Sequence, residues 1–393
     1  MYRKNLTVIL LLLFCRSAAG YGEMADTLLN WQERTVTVLT NACRMAPVAF
    51  RDRFIDNDGI LLPENYPPVA PVYWNRELNA ASRFHAVEMA LVCGMTHTSC
   101  NGESWNVRLR QFYTKAGGIA ENIAAGYSSP LDAVCGWIID GRTAQTAAAD
   151  KSDADGHRAN IMAPGYTETG CGFAVTGSGG SATAYWCQDF GSGKSSYTYH
   201  PVYGASHLFF NSTTITFMAN LYDPSKEAET LTLLLEGDRL PLELAMGTTS
   251  AGTWEVSVPA ASSCRTYAVE AEYNDGHTLL YPEEGRLITV GEGFCREDDT
   301  IAEVAIRRSG LHSVGLWITM KPFPGGLRLS SFPGIAVPIR TELVDCRGRV
   351  LWSFVWSSPS ERVVPSRALT SGLRLIRHRF ADGTLSVCHW ISY

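Results

Sequence analysis

The chain has 393 residues, long enough for two or three separate cores. With 46% hydrophobic and 18% charged residues and no long low-complexity tract, its composition excludes a disordered protein. A net charge of -6 gives none of the basic footprint that nucleic-acid binding needs.

The amino terminus, MYRKNLTVILLLLFCRSAAGYG, places Arg3 and Lys4 before an apolar run from Leu6 to Phe14 and small residues at Ser17, Ala18 and Ala19. That order predicts a secretory signal over residues 1–20 and an exported product. The run is too short for a bilayer span, and no later run is long and apolar enough for one. Large Phe14 before Cys15 makes a poor lipoprotein signal.

Next, MADTLLNWQERTVTVLTNACRMA and NRELNAASRFHAVEMALVC carry apolar residues at mixed three and four spacings, which predicts two amphipathic helices. The Pro-rich DNDGILLPENYPPVAPVYW between them reads as an ordered loop. A third helix is expected from Pro130, with Leu131, Val134, Cys135 and Ile138 on one face. YTETGCGFAVTGSGGSATAYWCQDFG then reads as two strands around a Gly/Ser turn. Helices followed by a hairpin predict an α+β domain over residues 21–195, with staples and core internal enough to fold alone. From about residue 200 the pattern changes to short alternating runs such as TTITFMANLY and TWEVSVPA, so residues 200–296 are expected to form an Ig-like β-sandwich. Residues 300–393 repeat that style and predict a second, carboxy-terminal β-sandwich.

Of the 11 cysteines, Cys15 leaves with the signal, and an even remainder in an exported chain points to disulfides. Their grouping predicts Cys93 with Cys100, Cys171 with Cys187 across the hairpin, Cys264 with Cys295, Cys346 with Cys388, and Cys43 with Cys135 between two helices. No two cysteines have the two-residue spacing of a zinc cluster.

The chemistry gathers in four stretches. CGMTHTSCNGESW carries His97 in a loop that a Cys93–Cys100 bridge would clip. GGIAENIAAGY carries Glu121, and WIIDGRTAQTAAADKSDADGHRANIM carries Asp140 and His157. The fourth is the hairpin end YWCQDFG. There is no Gly-x-Ser-x-Gly elbow and no His-Glu-x-x-His helix, so neither a serine hydrolase nor a zincin is expected.

LNAASRFHAVEMA, GGIAENIAAGY, GHRANIM, YTETGCGFA and YWCQDFG, in that order, resemble the bacterial secreted branch of the CAP superfamily, which includes cysteine-rich secretory, antigen 5 and pathogenesis-related proteins. The resemblance covers roughly residues 29–191 and implies a three-layer α-β-α sandwich, followed here by the two β-sandwich domains. It also implies a cavity lined by two histidines and two acids. The matching residues are His97, Glu121, His157 and, three positions after Trp137, Asp140, an Asp where Glu is commoner. The site set is thus His97, Glu121, Asp140 and His157, with His97 and His157 as direct ligands of a divalent cation, zinc by ligand type. The acids are expected to act through water or as orienting partners. The loop from Gly141 to Ala154 is expected to swing outside the site.

The tail IRTELVDCRGRVLWSF…VVPSRALTSGLRLIRHRFADGTLSV has its own resemblance, to the type IX secretion sorting domain, through a D-x-x-G-R turn before a strand. It implies passage across an outer membrane and attachment to the cell surface. Two functions follow. The favoured one is an extracellular binding module for an unidentified extracellular or cell-envelope ligand. The alternative is a metal-assisted hydrolase of peptide or envelope material, with Glu121 as base.

Overall fold

The computed structural model describes residues 29–141, 143–176, 182–193, 200–283, 285–290, 318–323, 326–331, 340–345, 350–355, 361–365, 372–379 and 385–392. The signal segment, Cys295 and Cys346 lie outside these residues.

Helix α1 (Trp31–Met45) starts at a reciprocal cap: Asn30 Oδ1 accepts from the Glu33 N–H, and Glu33 Oε2 accepts from the Asn30 N–H. Helix α2 (Pro47–Phe54), not expected from the sequence, follows at once with Pro47 in its first turn. Asn75 caps α3 (Arg76–Glu88), whose end loosens into a π-helical turn, Met89–Cys93. Then come α4 (Trp105–Phe112), also unexpected, α5 (Pro130–Ile139) and α6 (Gly156–Met162). Strands β1 (Tyr73–Trp74), β2 (Ile119–Ala125), β3 (Glu168–Thr176) and β4 (Thr183–Gly191) form a sheet in the order β1-β3-β4-β2. β1 runs parallel to β3, and the other pairs are antiparallel. One face of this sheet packs under α1, α5 and α6, the other under α3 and α4.

Strand alternation sorts side chains between the two layers. Cys171, Trp186 and Phe190 join the core under α1, whereas Cys187 packs with Ile123, Ala86 and Met89 under α3. The expected Cys171–Cys187 bridge is therefore wrong. Cys171 pairs with Gln188 and Gly172 with Cys187, so the two thiols point to opposite faces of the hairpin. Cys43 and Cys135 are also free thiols: Cys43 Sγ is directed at Met162 Sδ (3.8 Å) and Cys135 Sγ at the Phe54 carbonyl (3.9 Å). Cys93 and Cys100 pair as expected, and Cys264 is disulfide-bonded.

Gly170 and Gly172 let α3 lie directly on β3. A Cβ at Gly170 would stand 2.0 Å from the Asn79 nitrogen, and one at Gly172 2.2 Å from the Ser82 carbonyl. Both obstacles are backbone, which cannot swing aside. Gly172→Ala is expected to lift α3 and lower stability by about 3 kcal/mol, measured by denaturant unfolding; an unchanged midpoint would show that the helix can shift freely.

Strands β5 (Val202–Leu208), β6 (Thr214–Tyr222), β7 (Ala228–Leu235), β8 (Asp238–Gly247), β9 (Ala251–Pro259), β10 (Thr266–Tyr273) and β11 (Thr278–Tyr281) form one hydrogen-bonded path, β11-β10-β7-β8-β9-β6-β5. The short β12 (Leu287–Ile288) pairs with β10. β8 pairs with β7 through Leu242 and with β9 from Glu243 onward, so it links the two halves around a core that includes Phe217, Leu233, Tyr267 and Tyr273.

These strands also cover α1. On one side α1 binds the first sheet: Asn41 exchanges hydrogen bonds with Val72, and Gln188 Nε2 donates to Thr40 Oγ1 at 2.8 Å. On the other side Trp31 Nε1 donates to the His207 carbonyl (3.0 Å) and Thr35 Oγ1 meets Ser206 Oγ (2.6 Å). Leu208, Met218 and Met246 enter the same core as Val36 and Leu39. The core expected to be internal to residues 21–195 is thus completed from outside them.

Farther on, β13 (Ile318–Phe323), β14 (Gly326–Ser331) and β17 (Glu361–Pro365) form one antiparallel sheet. β15 (Arg340–Asp345), β16 (Val350–Val355), β18 (Gly372–Arg379) and β19 (Leu385–Ser392) form another, in the order β16-β15-β18-β19. Among the described residues no helix is long and apolar enough to cross a membrane.

Candidate functional site

The four expected residues form two separate carboxylate–imidazole pairs beside β2, the last strand of the first sheet. His97 is carried on the loop clipped by Cys93–Cys100. Its Nδ1 lies 2.8 Å from Glu121 Oε1, with the imidazole 46% exposed and the carboxylate 1%. Glu121 sits on β2 with its side chain on the α4 side, where the Arg108 guanidinium grips Oε2. Arg108 also donates to the His97 carbonyl (2.9 Å) and to Ser99 Oγ (3.0 Å), so one buried cation fixes both the acid and the loop that carries its imidazole. Burial opposes ionisation of Glu121, but the His97 hydrogen bond and the Arg108 charge outweigh it and hold the carboxyl below its usual range. An ionised Glu121 can only accept, so His97 Nδ1 carries the proton, and in the neutral ring Nε2 keeps a lone pair.

The second pair comes from the other layer. α5 ends at Asp140, which takes a left-handed backbone (φ 50°). That turn aims its carboxylate at the start of α6: Oδ2 accepts from the His157 N–H (2.8 Å) and Oδ1 lies 2.6 Å from His157 Nδ1. The intervening loop is fastened rather than loose. Asp150 accepts from the N–H groups of Leu61 and Leu62, and buried Arg158 reaches the carbonyls of Ile138 and Ala148. Asn122 and Asn160 join the pairs across β2: Asn160 Nδ2 donates to Asn122 Oδ1 (3.0 Å), and Asn122 Nδ2 to the His157 carbonyl (3.3 Å).

Neither His97 Nε2 nor His157 Nε2 has a hydrogen-bond partner among the described residues, and both rings reach solvent. The pairs do not merge into one compact ligand set. Among the described residues, the only group of three or more such side chains with donor atoms within 4.8 Å of one another is Glu121, Cys187 and Asp189. The sequence reading missed two of its members. β4 alternation puts Cys187 and Asp189 on the Glu121 side, and the β2–β4 register sets Asp189 directly opposite Glu121.

That cluster holds a proton better than a metal. Burial, then the neighbouring Glu121 charge, pushes Asp189 well above the usual carboxylate range, and burial raises the Cys187 thiol. Asp189 Oδ2 accepts from Ser82 Oγ (2.8 Å), while Oδ1 faces no donor. A neutral Asp189 sharing its proton toward ionised Glu121 satisfies both acids, and Arg108 already supplies the one balancing charge. His85 has a structural role, held between Glu88 Oε2 (3.1 Å) and the Thr96 carbonyl (2.7 Å). Glu168 is buried against Tyr113 and Lys115.

Residues 40–190 match the family model of CAP, the cysteine-rich secretory protein family. No curated protein matches the chain. Among solved structures, an extracellular protein containing an SCP domain from Bacillus anthracis str. Ames is 20% identical, over 41% of this chain and 40% of that one, with a TM-score of 0.26. BmVAL-1 is 17% identical over 44% of this chain and 82% of that one (TM-score 0.27). Na-ASP-1 is 14% identical over 50% and 45% (TM-score 0.28). The chain thus spans under half the length of two of these three.

Proposed function

We propose that the CAP domain at residues 40–190 acts outside the cell as a binding module whose His97 and His157 hold a divalent cation, zinc by ligand type. One observation carries this reading: each imidazole gives Nδ1 to a carboxylate and leaves Nε2 without a protein partner at an accessible position. A carboxylate behind a histidine is how proteins fix the tautomer and raise the basicity of a metal-binding imidazole. His97 and His157 would hold the ion, and Glu121 and Asp140 would orient them. A bound ion supplies Lewis acidity and a fixed positive charge for an anionic ligand group. The extracellular setting belongs to the same proposal and rests on the amino-terminal segment. So does the sorting role of the tail, which rests on its sequence and on the antiparallel pairing of β15 with β16.

The hydrolase alternative is weaker in the form that makes Glu121 the base. Both of its oxygens are engaged, and its pKa lies on the wrong side for accepting a proton near neutrality.

Calorimetric titration of the purified chain with zinc is expected to show about one site. His97→Ala and His157→Ala should each abolish it within the range of the method. Asp140→Asn should weaken it roughly tenfold, the smaller effect of an orienting partner. Zinc uptake unchanged in both histidine variants, or none in the wild type, would leave the two pairs as structural ties.

A further inference from the structure

Four arginine side chains are among the most deeply buried groups, and three have their charge met. Arg44 donates to the carbonyls of Ala70 (2.8 Å), Ile161 (2.6 Å), Ala163 (3.0 Å) and Tyr166 (3.2 Å). Arg108 has Glu121, and Arg158 has two carbonyls and the Asp150 carboxylate 3.3 Å away. Arg34 is the exception. It is 1% exposed, neither Nε nor Nη2 has a hydrogen-bond partner, and no described carboxylate forms an ion pair with it.

Arg34 lies on the face of α1 turned toward the β unit, one turn from Trp31 and next to Thr35, which meets Ser206. His207 Nε2 lies 2.8 Å from the Val290 nitrogen and 3.1 Å from the Val290 carbonyl oxygen, and Nδ1 lies 3.0 Å from the Tyr267 hydroxyl oxygen. The Tyr267 hydroxyl is also a hydrogen-bond partner of the Arg34 side chain. The charges acting on this neighbourhood are cationic. Burial, then Arg34 and Arg265, lowers His207 to about 3, and among the described residues Arg34 is the charged group that bears on Tyr267 and Tyr281.

A guanidinium does not deprotonate in a protein, and a buried one needs acceptors for its N–H groups or an opposite charge nearby. We infer that Arg34, through its unpartnered Nε and Nη2, binds a small inorganic anion of the size of chloride at the junction between α1 and the β unit. The site is separate from the His97 and His157 pairs and does not depend on their role. It ties helix and strands together through a shared counterion, so occupancy should stabilise the junction.

The full chain is compared by scanning calorimetry in sodium chloride and in sodium gluconate at matched ionic strength, gluconate being too large for an occluded site. Chloride is expected to raise Tm progressively, by roughly 5 °C once far above its Kd. Arg34→Met should lose that rise. Should the Met variant fail to fold, Arg34→Lys, which keeps the charge but not the planar fork, should show a reduced chloride slope. Bromide soaked into wild-type crystals should give an anomalous peak beside Arg34. The same Tm in both salts, a full chloride slope in the Arg34 variants, or bromide absent from Arg34 would each overturn the inference.

Discussion

Arg108→Met is expected to destabilise the protein by about 3–5 kcal/mol, because it leaves a buried carboxylate without its cation. Glu121 would keep His97 and the Asp189 proton but no buried cation, and the His97 loop would lose the donor that holds its carbonyl. The double variant Arg108→Met/Glu121→Gln should recover much of the loss, since an amide needs no counter-charge. The pH dependence has a definite sign. Glu121 titrates below its usual range in the folded chain, so its contribution is present above the unfolded pKa of about 4.3 and is lost as pH falls through the folded value. Asp189 works in the opposite sense: its raised pKa favours the folded state at low pH, an advantage lost as pH rises from about 3.9 toward the folded value. Asp189→Asn should therefore gain stability relative to wild type as pH rises. Denaturant midpoints at neutral and acidic pH measure all three variants. An Arg108→Met midpoint within experimental error of wild type would refute the central role given to the guanidinium.

A fragment ending at Gly193 is expected to unfold without a sharp transition and to expose apolar surface. It would lose Leu208, Met218 and Met246 from the core that also holds Val36 and Leu39. At about 1.5–3 kcal/mol for each fully buried side chain, the deficit rivals a typical total stability of about 5–15 kcal/mol. The fragment would also lose the cover of Trp31 and Thr35 and the ion pair of Arg53 with Glu255. Calorimetry and dye binding on the fragment decide the matter. A cooperative transition near that of the full chain would mean that the strands only rest on α1.

Much of this layout is legible in the residues, and the gaps have physical causes. α1, α3 and α5 announce themselves through apolar spacing and, at Pro130, a first-turn proline. α4 is short and polar, and its Arg108 reads as a surface charge because nothing local reveals that Glu121, on a separate strand, will meet it. The family motifs name His97, Glu121, Asp140 and His157 as one set; their division into a His97–Glu121 pair and a His157–Asp140 pair depends on how separate elements pack. The proton shared by Asp189 depends on strand register, which the stretch YWCQDFG alone does not fix. The Cys171–Cys187 expectation failed for the same reason, since closeness in a hairpin does not imply a common face.

The placement of α1 also bears on the order of assembly. Its contacts to Ser206 and His207 span 171 and 176 residues of sequence, and Arg53 reaches Glu255 across 202. A chain that emerges amino terminus first presents this helix long before its second cover exists. Such distant closures are slow and leave apolar surface open to wrong partners in the interval. During synthesis this helix must therefore stay uncommitted or shielded until the strands through β9 have followed it, so a segment made before them is among the last to be locked.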